Sequence, residues 1–339
     1  MKCILIDINH PAHVHLFRNL IIDLKTRGYR VIVTSRKKDV TESLLDYYGI
    51  EYITLSRVPK RMAWMALELV KRDLALLSLH RRHRFDLALG TSASIAHLSA
   101  VTNVKSYVFE EDDDVVIPLF SLITYPFATQ IIVPDCLRYK KWGGKRISHP
   151  SYHELAYLHP DVFTPNETVL RRYQLTPYKY IIWRQTALRA HHDLHEVGLS
   201  REVFDRIRGL IKNYSIISSR EDQKTQSIRP WDMHHVLAFS RMVISDSQTM
   251  TAEAACLGVP SIRYNSFVGR ISYLEELENR FDLTYGFRPG NESSMYEKLN
   301  ELLHEKNYNE RWRGKKAILL KEKVNFNQWI TDLIHSSWL

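Results

Sequence analysis

Cysteine is nearly missing from this chain. Its three copies, Cys3, Cys136 and Cys256, are far apart and odd in number, which argues against a disulfide framework and predicts a reducing compartment. No CxxC pair occurs, so a zinc knuckle is not expected. A long apolar run is also lacking: the longest, Val115 to Ala128, has 14 residues with Pro118 and Pro126 inside it, too short and too interrupted to span a bilayer. The opening MKCILIDINHPAHVH has no charged head, extended apolar centre or small-residue cleavage site. A signal peptide is therefore not expected, and a cytoplasmic location is. Low-complexity tracts, short repeats and a nucleic-acid-binding module are not recognisable, and the basic residues are scattered rather than held in one block.

What is present suits two α/β domains. The chain has 339 residues, 45% of them apolar and 25% charged, enough for two cores of about 150 residues each. The net charge of +9, from 47 basic and 38 acidic residues, favours anionic partners such as nucleotide phosphates or anionic lipid.

Strand-like runs alternate with helical ones. Cys3–Ile8, Arg30–Thr34, Glu51–Leu55, Asp86–Leu89, Lys105–Phe109 and Gln130–Val133 read as strands separated by helical periodicity, which predicts a mostly parallel sheet covered on both faces. Residues Lys140–Pro165 hold two glycines, three prolines and three histidines without clear periodicity and read as a connection. The alternation then resumes with Tyr180–Arg184, Tyr214–Ser218, Met242–Ser245, Pro260–Tyr264 and Leu283–Phe287. The expected organisation is 1–160 as an N-terminal α/β domain and 161–320 as a C-terminal one. Residues 321–339 form a last helix able to cross back to the first domain.

Several segments carry chemistry. Asp7-Ile-Asn-His-Pro-Ala-His-Val-His15 follows the first strand, where ligands bind in open α/β sheets. His10, His13 and His15 there offer a general base, proton donor or phosphate contact near neutral pH, with His13, in the middle of the turn, the preferred catalytic residue. The plainer alternative is that one or two of them cap the following helix. Their spacing also permits a metal, but no Cys or carboxylate cluster completes a site, so none is predicted.

Ser245-Asp-Ser-Gln-Thr249 is a strand end turning into a helix, an arrangement whose free N–H groups and hydroxyls suit a phosphate. Ser245, Asp246, Ser247, Gln248 and Thr249 are the candidate contacts, with Glu253 one turn on, beside a ribose. Capping by Ser247 is the simpler account of the serines. Arg184 ends the first strand of the second half and suits a phosphate or carboxylate. Ser219 and Arg220 occupy the end of the next strand and suit a base or ribose. His191, His192 and Asp193 could orient one another or a substrate hydroxyl, with a plain surface loop as the alternative.

Phe109-Glu-Glu-Asp-Asp-Asp114 places five acids after a strand. Glu110 is a candidate for positioning substrate and a divalent-metal role is conceivable, although a solvated turn is the commoner outcome. Arg57–Arg84 holds eight Lys/Arg, two acids, two methionines and Trp64. Such a helix either lies on anionic lipid or packs on the sheet.

Taken together, DINHPAHVHLF, Phe109–Asp114, Pro150-Ser-Tyr-His-Glu-Leu-Ala-Tyr-Leu-His-Pro160, Arg184…Ala190-His-His-Asp193 and Ser245-Asp-Ser247…Glu253…Gly258-Val-Pro260 resemble a prokaryotic family catalogued as a domain of unknown function. It is grouped with the GT-B glycosyltransferase-like superfamily. The resemblance covers nearly the whole chain. It implies two Rossmann-like domains with parallel sheets facing a central cleft, 1–160 on the acceptor side and 161–320 on the nucleotide-sugar side. It also implies kinship with the transferase that completes lipid II, the UDP-N-acetylglucosamine 2-epimerases and the nucleotide-sugar hydrolases of nonulosonic acid synthesis. From the epimerases it carries diphosphate and ribose contacts onto Ser245, Asp246, Ser247 and Glu253. The chain departs from that pattern where Gln248-Thr-Met replaces a glycine pair, and the epimerase-like Gly-Glu pair of the connector is absent. The glycine-rich first loop of the lipid II transferase is replaced by the His-Pro-Ala-His loop.

The expected function is a metal-independent glycosyltransferase that needs no cofactor and takes a UDP-sugar donor and a sugar or lipid-linked sugar acceptor. It would serve cell-envelope polysaccharide or glycolipid synthesis from the cytoplasm, with peripheral contact with anionic membrane. A nucleotide-sugar hydrolase or 2-epimerase is the alternative, and a binding protein without turnover a third. Nucleic acid is not an expected partner.

Overall fold

The computed structural model describes residues 1–59, 62–138, 141–186, 199–220 and 227–336, without the side chains of Met62 and Arg220. They fall into two compact units, Met1–Tyr157 with Val324–Leu339, and Leu158–Lys323.

The first unit is built on β1 (Cys3–Ile8), α1 (Pro11–Thr26), β2 (Arg30–Lys37), α2 (Thr41–Tyr47), β3 (Ile53–Arg57), α3 (Met65–His83), β4 (Leu87–Gly90), α4 (Ala93–Val101), β5 (Lys105–Phe109), α5 (Pro118–Thr124), β6 (Gln130–Pro134) and β7 (Arg146–His149), with the short α6 (Leu155–Leu158) at its edge. Its seven strands run in the order β3-β2-β1-β4-β5-β6-β7, every pair parallel. All six residues of β1 are buried, as expected for a central strand covered on both faces. Proline at the first position of α1 costs no hydrogen bond, because that amide has no partner within the helix.

The carboxyl end of β1 is held by a buried polar network. Asp7 accepts from Arg72 of α3 at 2.8 and 2.7 Å, from Thr34 Oγ1 at 2.8 Å and from Ser92 Oγ at 2.6 Å. A Cβ on Gly90 would lie 2.8 Å from the Asp7 carbonyl oxygen, so β4 can approach β1 this closely only with glycine there.

β7 corrects the expectation that residues 140–165 are plain connection. Arg146–His149 pairs in parallel with β6 and adds the seventh strand. With four residues and one fully buried position, it has too little periodicity to be seen without its partner.

The second unit contains β8 (Tyr180–Gln185), α7 (Arg201–Leu210), β9 (Ser215–Arg220), α8 (Met233–Ala238), β10 (Met242–Ser245), α9 (Gln248–Leu257), β11 (Ser261–Tyr264), α10 (Ser272–Asn279), β12 (Thr284–Phe287), α11 (Glu292–Leu303) and α12 (Tyr308–Glu322). Its five parallel strands follow the order β12-β11-β10-β8-β9. α9 is almost wholly buried and ends at Gly258, whose φ of +74° is left-handed. The chain then returns to the first unit as α13 (Phe326–Ser336), which packs on α1, with Asn327 Nδ2 donating to Asp23 Oδ2 at 2.6 Å. Among the described residues no helix is long and apolar enough to cross a membrane.

Candidate functional site

Ligands of open parallel sheets gather beyond the carboxyl ends of the strands, and each unit carries polar side chains there. In the first unit the loop after β1 sorts its three histidines. His10 is the N-cap of α1: its Nδ1 accepts the Ala12 amide at 3.2 Å. His13 turns toward the loop after β4, with Nδ1 2.8 Å and Nε2 3.1 Å from Thr91 Oγ1, and the Asn9 amide donates to its Nδ1 at 3.4 Å. The rings of His10 and His13 are 5.7 Å apart. His15, two residues along the helix from His13, faces away from it and is buried between Tyr48 and Tyr157 at 6.1 and 5.4 Å. Residues two apart on a helix point about 200° apart, so the fold cannot bring all three histidines together.

His13 is held uncharged. Burial, then the charge of Lys38, brings its pKa down to about 3 against the opposing pull of Asp7. It is therefore neutral at pH 7.

The five acids after β5 are not a solvated turn, which corrects that expectation. Glu110 Oε1 accepts the amides of Glu111 and Asp112 at 3.1 and 3.2 Å, and burial, helped by the Asp112 charge, pushes its pKa up to about 8. Glu110 consequently keeps its proton near neutrality. Burial, then Glu154, raises the Glu111 carboxyl as well, and that group lies against His153, which donates its backbone amide. His153 is itself held neutral, chiefly by burial. Asp113 receives the Arg138 amide at 2.9 Å, and Asp114 meets Arg146 at 3.2 Å. His13, Thr91, Glu110 and His153 thus all follow strand ends of one sheet.

In the second unit three strand ends align in register: Ser245 of β10 lies beside Arg184 of β8, and Arg184 beside Ser219 of β9. Arg184 Nη1 donates to Ser219 Oγ at 2.9 Å. Ser245 Oγ accepts the Ser247 amide at 2.8 Å, closing the turn, and Ser247 caps α9 by accepting the Met250 amide at 3.3 Å. Ser247, Gln248 and Thr249 remain half-buried at the helix start, where the first-turn amides have no acceptor within the helix. Asp246 is buried and accepts the Thr186 amide at 2.7 Å; burial raises its pKa to about 6 against that bond. Glu253 lies deeper along α9, with Oε1 2.9 Å from Nε2 of His234 on α8. Arg220 closes β9. His191, His192 and Asp193 lie outside the described residues.

Arg72, Thr91, His153 and His234 were not singled out by sequence. Arg72 is lost among basic neighbours and His153 inside the apparent connector. Thr91 and His234 belong to segments with no distinctive composition, so only tertiary proximity identifies them.

The chain is similar to solved structures of low sequence identity. A complex of S. aureus MnaA with UDP is 12% identical, with 96% of this chain and 94% of that one covered and a TM-score of 0.68. The Methanocaldococcus jannaschii UDP-GlcNAc 2-epimerase in complex with UDP-GlcNAc and UDP is 10% identical, with 90% and 94% covered and a TM-score of 0.66. The spinosyn forosaminyltransferase SpnP is 14% identical, with 99% of each chain covered and a TM-score of 0.65. These likenesses, with the two parallel sheets, show a GT-B-like α/β fold. No curated protein matches the sequence significantly. Residues 2–270 match the family described as "Protein of unknown function (DUF354)", and the chain belongs to that family.

Proposed function

We propose that this protein is a glycosyltransferase that moves a sugar from a nucleotide-activated donor, a UDP-sugar, to a hydroxyl of a sugar or lipid-linked acceptor in cell-envelope polysaccharide or glycolipid synthesis. The observation that carries the reading is the in-register row Ser219–Arg184–Ser245 beside the start of α9. A guanidinium, hydroxyls and helix-terminal amides in one place match a diphosphate. Ser245, Ser247, Gln248 and Thr249 would contact the phosphates, Asp246 would hold the turn through Thr186, and Glu253 with His234 would reach the ribose. Ser219 and Arg220 would support the base.

In this reading His13 removes the acceptor hydroxyl proton as that oxygen attacks the anomeric carbon. The bond from that carbon to the diphosphate oxygen breaks, and Arg184 and the helix dipole take up the charge of the leaving nucleoside diphosphate. His13 being uncharged leaves a ring nitrogen free of a second proton, and efficient transfer to it requires the bound substrates to raise its pKa of about 3 toward neutrality. Glu110 would position the acceptor, as would His191, His192 and Asp193. UDP and UDP-GlcNAc in the similar structures support the choice of nucleotide.

A second reading, nucleotide-sugar hydrolysis or 2-epimerisation, is favoured by one observation: His13 and Glu110 follow the ends of strands of the same sheet and offer two proton-exchanging groups without an acceptor hydroxyl. Thermal-shift screening against UDP, GDP, CMP, dTDP and their sugars tests the donor site. A rise with UDP that is lost in Arg184→Ala supports it, and no shift with any nucleotide overturns it. Product analysis with UDP-sugars then separates the two reactions, since release of UDP or a new epimer without acceptor supports the second.

A further inference from the structure

We infer that the outer face of α3, together with α5, docks the first unit onto an anionic phospholipid surface. The outward positions of α3 and the turn before it are Trp64, Leu67, Val70, Lys71, Leu74, Ser78, Arg81 and Arg82, spaced by three and four residues so that they form one stripe. The four apolar members are 44–62% exposed, which is more contiguous apolar surface than an isolated solvent-facing helix needs.

Charge is sorted as sharply as polarity. Both acids of α3 are turned inward: Glu68 pairs with Arg36 at 2.8 Å, and Asp73 with His97 at 2.8 Å. Arg72, the one buried cation of the helix, is bound to Asp7. The charges left on the outward stripe, Lys71, Arg81 and Arg82, are all positive. His97 of α4 also touches the Ile123 carbonyl of α5 at 2.8 Å, tying α3, α4 and α5 together on one side of the sheet. Before and along α5, Val115, Leu119 and Leu122 are 59–74% exposed, and residues 115–129 contain no charged side chain.

A solvated helix face commonly alternates signs, and pairing this face with a second copy of the chain would set its cations against the same cations. An apolar stripe with Trp and an exclusively cationic edge matches lipid tails flanked by anionic headgroups. The inference stands apart from the sugar-transfer reading: vesicle binding is measured without turnover, so either can fail alone.

The test is co-sedimentation of the full chain with phosphatidylcholine vesicles and with mixed phosphatidylcholine–phosphatidylglycerol vesicles. Binding is expected to the mixed vesicles, weaker in high salt, and little to phosphatidylcholine alone. Removing the cations in Lys71→Gln/Arg81→Gln/Arg82→Gln should weaken partition by about fivefold per residue. Leu67→Glu/Leu74→Glu should weaken it by about tenfold or more, with an unchanged melting temperature because both positions face solvent. Failure to bind mixed vesicles even at low salt would overturn the inference, as would binding untouched by either variant. So would light scattering that shows a dimer dissociated by Leu67→Glu/Leu74→Glu while vesicle binding persists, since the face would then belong to a second copy.

Discussion

Arg72 Nη2 lies 2.7 Å from Asp7 Oδ2 in the interior of the first unit, with side-chain exposures of 3% and 0%. The same nitrogen reaches Asn9 Oδ1 at 2.6 Å, so one guanidinium joins α3 to both the end of β1 and the loop that presents His13. Breaking a buried pair from one side strands a charge. Arg72→Leu should therefore destabilise the protein by about 3–5 kcal/mol, whereas Asp7→Asn/Arg72→Leu should recover much of that loss. Urea unfolding of the parent, the two single variants and the double variant measures it. A double variant whose loss equals the sum of the two single losses would show that the pair is not coupled.

The histidines of the first loop should separate by role. His10→Ala removes a helix cap and should cost about 0.5–2 kcal/mol, with His10→Asn restoring it. His13→Ala should leave the melting temperature nearly unchanged and reduce sugar transfer by about 10²- to 10⁴-fold, the range of a general base. A His13→Ala variant of full activity would remove His13 from the reaction.

Glu110 makes stability depend on pH with a definite sign. Its folded pKa of about 8 lies above the ordinary 4.5, so the native state holds a proton that the unfolded chain releases. Its contribution is complete below about pH 4.5 and is lost as pH rises toward 8. His13 acts at the other end: its pKa of about 3 lies below the ordinary 6.5, so native stability falls as pH drops below about 6.5 and the unfolded chain takes up the proton. Melting temperatures across pH 5–9 should show Glu110→Gln losing less stability than the parent on the alkaline side. Parallel curves would mean that Glu110 ionises normally.

Glu253 has a structural tie as well as a proposed ligand. Glu253→Ala leaves the buried His234 imidazole without its carboxylate and should cost about 1–3 kcal/mol, while Glu253→Gln keeps an acceptor and should melt near the parent. If Glu253 reaches the ribose, Glu253→Gln still weakens UDP binding by calorimetry. Unchanged affinity in that variant confines Glu253 to supporting His234.

Much of the fold was legible. Lys105–Phe109 and Met242–Ser245 are strands over the ranges that their apolar runs predict, and α9 stops at Gly258 as its spacing requires. These signals are local: side-chain period, a cap, a residue free to adopt positive φ. β7 was hidden because its pairing partner, rather than its own composition, makes it a strand. The acid run misled for a related reason. Five adjacent carboxyls look solvated until the chain's own amides, His153, the Arg138 amide and Arg146 are brought to them.

Sequence alone determined the alternation of strands and helices, the loops at strand ends and the residue types gathered there, because periodicity and turn chemistry act over a few neighbours. Tertiary structure decided which of those residues meet one another. Arg72 turns inward while Lys71 turns outward, and His13 meets Thr91 across 78 positions of chain while His15 packs on Tyr157. Those choices follow from which helix face meets the sheet and which strand ends lie side by side, and distance in space is not written in local order.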